Sequence, residues 1–160
     1  LLNCRIDGLA HLSPARFIID PNLRINKNSK LIMTAKKIKT YIFYSDKNNN
    51  KINYLKNKNI YPIYLPLNKN KHIDCKEILV TIGLLGYKNV LIEGGYNTIK
   101  SFIDLNLIDI FYFFKNDEIV NKKSSHSFKN IYMTLKKRFK NNKIIKQVYL
   151  KNNTLTVFQK

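Results

Sequence analysis

From Ala15 to Phe114 the chain alternates short apolar runs with segments of helical periodicity, and that alternation restricts it to an α/β architecture with a mainly parallel sheet. Ala15 to Asp20, Thr40 to Ser45 and Ile60 to Leu65 read as strands, the first closed by the turn residues Asp20, Pro21 and Asn22. Pro21 to Lys30 is polar and basic. After Asp46 to Asn50, Ile52 and Leu55 mark a short amphipathic helix. Asp74 with Glu77 three residues on is a variant capping box, and Ile78, Leu79, Ile82 and Leu85 follow at helical spacing until Gly86 stops the helix. Asn89 to Ile92 is the next expected strand, running into Glu93, Gly94 and Gly95. Ile99, Phe102, Ile103 and Leu107 then outline a helix, and Ile108 to Phe114 a further strand. Lys115 to Ser127 is charged and aperiodic and reads as a mobile loop. Ile131 to Leu135, Ile144 to Leu150 and Thr154 to Phe158 read as strands, the last two joined at Asn152 and Asn153 as an antiparallel hairpin.

The chain has 160 residues, of which 44% are hydrophobic and 12% aromatic, enough to bury a core and to exclude global disorder. One domain, or part of one, is the expectation. Lys and Arg number 29 against 10 Asp and Glu, a net charge of +19. Such a charge invites a nucleic-acid reading, yet only Arg5, Arg16, Arg24 and Arg138 are arginines, and the lysines are interspersed with asparagine in solvated stretches. Base-reading surfaces favour arginine forks, so no specific nucleic-acid partner is expected. Lys136, Lys137, Arg138 and Lys140 around Phe139 form one local cluster that fits either a basic patch or a solvated turn. Cys4 and Cys75 stand far apart, without a disulfide framework or zinc-ligand spacing. No run reaches the roughly eighteen apolar residues of a bilayer-spanning helix. The opening Leu1, Leu2, Asn3 reads as the interior of a longer frame, and the missing signal core and sparse cysteines favour the cytoplasm.

The segment richest in chemistry runs from Asn89 to Phe102. In a parallel sheet, ligands bind beyond the carboxyl ends of strands, and Gly94 and Gly95 there let a phosphate approach backbone that a side chain would block. The helix that follows directs N–H groups and its positive dipole end to the same place, with Thr98 and Ser101 as hydroxyl donors and Glu93 as an acceptor. A Gly-Gly turn is also ordinary turn chemistry, and the full G-x-G-x-x-G fingerprint is absent. Asp74 is accounted for as a helix cap, which leaves His72 and Cys75 without a third metal ligand. His11 and His126 are lone loop histidines, so no metal is expected. Tyr41, Phe43, Tyr44 and Phe111 to Phe114 sit at strand positions and read as sheet packing.

Taken in order, Leu2, Asn3, Cys4 and Arg5, then Arg16 to Asp20 with Asn22, Leu23, Arg24 and Ile25, then Val90 to Gly95, then Ser101, Phe102, Asn106, Leu107, Ile108 and Asp109 resemble the reductase domain of the bifunctional riboflavin-biosynthesis deaminase-reductases. The resemblance runs from Leu1 to about Phe114 and resumes in the final hairpin. It implies a dihydrofolate reductase-like fold, with residues 1–160 as a partial pyrimidine reductase domain that lacks the family's first strand and any deaminase domain. It implies NADPH as cofactor and reduction of 5-amino-6-(5-phosphoribosylamino)uracil to its ribitylamino product, the chain by itself turning over little. Position by position, Gly94, Gly95, Tyr96, Asn97, Thr98, Ile99, Lys100 and Ser101 would wrap the cofactor pyrophosphate. Leu2, Arg5 and Glu93 would face the substrate, Arg5 pairing with its phosphate. No residue is singled out for hydride transfer. A non-catalytic remnant of the same domain is the first alternative, a basic nucleic-acid module the second, and a homodimer is left open. Asn106 stands where the family usually has Gly.

Overall fold

Three apolar segments, Arg16–Ile19 (β1), Thr40–Tyr44 (β2) and Ile60–Tyr64 (β3), pair in parallel in the order β1-β2-β3. Arg16 stands opposite Thr40, and Thr40 opposite Ile60. The first four residues of the central β2 are buried, as a parallel strand covered on both faces requires. The computed structural model describes residues 3–116, 128–139, 144–150 and 153–160. It divides into two units, residues 1–88 and 89–160.

In the first unit the period-two alternation of the strands sends successive side chains to two separate cores. Ile42 and Ile60 join Leu23, Ile32, Ala35, Ile52 and Leu55 on one face, with Lys30–Met33 (α1) and Asn49–Asn57 (α2) supplying the helical side chains. Phe43 joins Ile73, Ile78 and Ile82 on the other, under Cys75–Leu84 (α3). The helices start where their capping residues stand: the Asn48 side chain accepts the Lys51 N–H at 3.0 Å, and the Asp74 carboxylate accepts the Lys76 N–H at 2.8 Å. They stop at residues in the left-handed region, Asn59 (φ 60°) after α2 and Gly86 (φ 89°) after α3. At Gly86 the end is closed twice, the Tyr87 N–H donating to the Ile82 carbonyl at 3.2 Å and the Gly86 N–H to Gly83 at 2.9 Å.

The second unit comprises Tyr96–Asp104 (α4), Ile110–Asn116 (β4), Phe128–Arg138 (α5), Ile144–Leu150 (β5) and Asn153–Gln159 (β6). Its sheet is antiparallel with β6 central, in the order β4-β6-β5. Phe111, Phe113 and Phe158 turn inward with Ile103, Ile131, Leu135 and Phe139, while Tyr112 and Phe114 alternate to the exposed side. The fold is therefore α/β, a parallel three-stranded sheet flanked by helices with an antiparallel C-terminal sheet, consistent with the dihydrofolate reductase-like expectation.

Three local expectations change. Asn89 to Ile92 forms no strand: no described strand hydrogen-bonds to it, and without a ladder Val90 and Leu91 stay 40% and 71% exposed. Ile131 to Leu135 is helical, because Ile131, Leu135 and Phe139 fall four apart and share the buried face of one helix. Lys115 and Asn116, expected in a loop, complete β4, while residues 117–127, with His126 among them, lie outside the described residues. The hairpin is confirmed by the β5/β6 pairing, with β6 starting at Asn153 and residues 151–152 outside the described residues.

Candidate functional site

Gly95 is the residue at which α4 begins. Its φ of −70° and ψ of 173° are extended, and no side chain caps the helix. The two glycines have different reasons to be there. A Cβ on Gly94 would stand 2.9 Å from the Thr98 Cβ, closer than side chains tolerate, so the tight entry into α4 itself demands glycine. A Cβ on Gly95 would meet nothing within 4 Å, and its φ suits any residue. Neither packing nor backbone conformation requires glycine at 95. The open approach there leads to an uncapped helix N-terminus, where N–H groups and the dipole favour an anion.

The residues expected around the pyrophosphate divide by helical phase. Tyr96 and Ile99 pack against the core of the second unit, and Phe102 and Ile103 are buried behind them. Asn97, Lys100 and Ser101 are exposed, and Thr98 is half-buried against Gly94. The Ser101 hydroxyl donates to the Asn97 carbonyl at 2.9 Å, so its proton is engaged within the helix. Lys100 pairs with Asp104 one turn on, and that hydrogen-bonded carboxylate raises the ammonium pKa. Glu93 is exposed just before the turn.

Of the residues expected to face substrate, Arg5 is exposed in the first unit and Glu93 belongs to the second. Leu2 lies outside the described residues. Asp20, at the end of β1, shapes the loop after it: its two carboxylate oxygens accept the N–H groups of Arg24 at 2.9 Å and Ile25 at 2.8 Å. Leu23 inside this loop is buried with φ 50°, a left-handed conformation that a branched side chain adopts only when its surroundings hold it. Among the described residues no cluster of three or more His, Cys, Asp or Glu can hold a metal ion.

Two arginines do work that the sequence left unassigned. Arg16, 3% exposed, donates from Nε and Nη2 to the Thr40 hydroxyl at 3.0 and 2.7 Å and from Nη1 to the Thr34 hydroxyl at 2.8 Å. Its Nη2 also donates to the carbonyls of Leu31 (3.2 Å) and Ile38 (3.4 Å). Burial pushes its pKa down. The only signal in the sequence is a cation at the mouth of an apolar strand. Arg138 donates to the carbonyls of Ile103 and, at 3.2 Å, Asp104, covering the last carbonyls of α4, while Phe139 is buried. The basic cluster around Phe139 therefore offers no aromatic platform, and Lys140 lies outside the described residues.

At its other end α4 stops with Asn106 in the left-handed region (φ 57°), the Asn106 N–H donating to Ile103 at 2.9 Å and the Leu107 N–H to Phe102 at 3.0 Å. Asparagine tolerates this conformation better than other non-glycine residues, which reconciles Asn106 with the glycine that the resemblance places there.

Layered helices on a parallel sheet, a glycine turn opening an uncapped helix and a separate antiparallel sheet define an α/β protein of dihydrofolate reductase-like build. Residues 1–120 of the 160 match the family model described as the RibD C-terminal domain. The chain belongs to that family, the reductase domain of the riboflavin deaminase-reductases. No curated protein matches the chain. Among the described residues no helix is long and apolar enough to cross a membrane.

Proposed function

We propose that this chain is the NADPH-dependent reductase of 5-amino-6-(5-phosphoribosylamino)uracil, acting in the riboflavin pathway. The observation that carries the reading is the contrast between the two glycines: Thr98 accounts for Gly94, whereas Gly95 faces open space that a ligand phosphate fits. The residues fit the group: backbone from Gly95 through the first turn of α4 receives the pyrophosphate, and Asn97 and Thr98 stand beside it. Bound there, NADPH would supply hydride for reduction at the sugar C1. Of the residues that the resemblance assigns to the substrate, Arg5 would pair with its phosphate, as a guanidinium fork suits.

The test is NADPH binding, followed by fluorescence, for the chain and for Gly95→Val, alongside NADPH oxidation in the presence of the pyrimidine. The expected result is binding that weakens at least about tenfold in the variant while the circular dichroism spectrum and melting temperature are retained. Unchanged affinity in folded Gly95→Val protein rejects the site. A second reading, a domain that keeps the fold without turnover, is favoured by Asn89 to Ile92, which pairs with no strand among the described residues and leaves Val90 and Leu91 exposed. Binding of NADPH without oxidation of it selects that reading.

A further inference from the structure

Three ammonium groups of the first unit converge on one ring. Lys27 Nζ lies 5.0 Å, Lys58 Nζ 5.7 Å and Lys51 Nζ 6.0 Å from the Tyr54 ring centroid. Lys51 and Tyr54 stand three apart on α2, and Lys58, the residue that caps its C-terminus, follows four on, so the three line one side of the helix. Lys27 arrives from the loop that the Asp20 carboxylate holds. Loop and helix are joined twice here, the Lys51 ammonium donating to the Ile25 carbonyl at 2.7 Å and the Tyr54 hydroxyl to the Lys27 carbonyl at 3.3 Å. The fold thus places these charges together; they are not three independent surface side chains.

Like charges gathered this closely repel one another. Cation–π attraction to the ring offsets part of that but leaves the charge un-neutralised. Among the described residues none of the three forms an ion pair with a carboxylate; the pairs present are Lys100 with Asp104 and Lys160 with Asp109. The acids flanking these segments, Asp20 and Asp46, accept backbone N–H groups of Arg24, Ile25 and Asn48. A triple positive charge around a half-buried aromatic floor remains, on a chain whose net charge is +19.

We propose that Lys27, Lys51 and Lys58 around Tyr54 form a binding site for a phosphate polyanion, whether a single nucleic-acid strand or a linear polyphosphate. Several phosphates in a row match three cations that one ring holds within reach of each other, as a single point anion does not. No arginine fork stands among them, so the site grips phosphate without reading bases. The proposal is independent of the glycine turn and of reductase activity.

The test measures binding of a fluorescently labelled twenty-residue oligothymidylate, and of linear polyphosphate by competition, over a series of salt concentrations. Four proteins are compared: the chain itself, the triple variant Lys27→Ala, Lys51→Ala, Lys58→Ala, the same triple change to Arg, and a control carrying Lys36→Ala, Lys37→Ala and Lys69→Ala. The control removes the same charge from exposed positions elsewhere in the unit. The expected result is a loss of at least about tenfold in the cluster-to-Ala variant only. The slope of log affinity against log salt should fall by about 2, roughly 0.7 for each lost phosphate contact. The Arg variant retains binding, which separates loss of charge from loss of fold. Competition by polyphosphate as effective as by the strand assigns the site to phosphate chains in general, and weak competition assigns it to nucleic acid. Equal losses in the cluster and control variants, or no binding of either probe, overturns the proposal in favour of diffuse surface charge.

Discussion

Gly94 approaches Thr98 so closely that a methyl group on it would stand 2.9 Å from the Thr98 Cβ and 3.1 Å from its Cγ2. The neighbouring Gly95 faces open space. Gly94→Ala should therefore force the first turn of α4 apart and cost about 1–3 kcal/mol, as overpacking does. Gly95→Ala meets no steric obstacle and should cost less than about 1 kcal/mol, the preference of a helix N-cap for glycine over alanine offset in part by a less flexible unfolded chain. Urea unfolding of the two variants checks this: equal destabilisation by both would show that the glycine turn is conformational throughout and has no room reserved at 95.

Asn106 ends α4 with φ 57°. Asn106→Ala should cost about 1 kcal/mol, since a Cβ without a side-chain amide pays the left-handed penalty in full, and Asn106→Gly should be neutral or stabilising. Midpoints of thermal melts for the two variants supply the comparison, and a melting point for the Ala variant at or above that of Gly would contradict the cap.

Arg16 is buried and, among the described residues, bound only to neutral acceptors, the hydroxyls of Thr34 and Thr40 and the carbonyls of Leu31 and Ile38. Arg16→Met keeps the aliphatic stem but strips these acceptors of their donor, and each one left unsatisfied costs about 1–3 kcal/mol. A loss of roughly 2–4 kcal/mol is expected after local rearrangement, read from denaturant midpoints at constant slope. Arg16→Lys should recover little of it, having lost the planar fork that reaches two hydroxyls at once. Full stability in the Lys variant would show that charge, not fork geometry, is what the site uses.

What was legible in the sequence lies within a few residues along the chain. The Asp74 cap bonds to an N–H group two residues on, Ile52 and Leu55 mark the buried side of α2, and Gly86 closes α3 through its bond to Gly83. The glycine turn was legible as well, and so was the family, because both are carried by short runs of residues. Ile131 to Leu135 alone has the composition of a strand, and only the burial of Phe139, four residues beyond Leu135, completes the helical face of α5.

Tertiary structure decided what depends on distant partners. Asn89 to Ile92 has the composition of a strand, yet a strand exists only when another bonds to it, and no local pattern reports that. Arg16 reaches Thr40 across 24 residues and Thr34 across 18, so its burial is set by the β1/β2 register and the placement of α1. Lys27 meets Lys51 and Lys58 only because the loop after β1 folds onto α2. By itself the sequence determined where α3 starts and stops and where the glycine turn before α4 stands, since those choices rest on hydrogen bonds a turn or so apart. Which charges are buried or brought together was left to packing, because it depends on side chains that the fold alone makes neighbours.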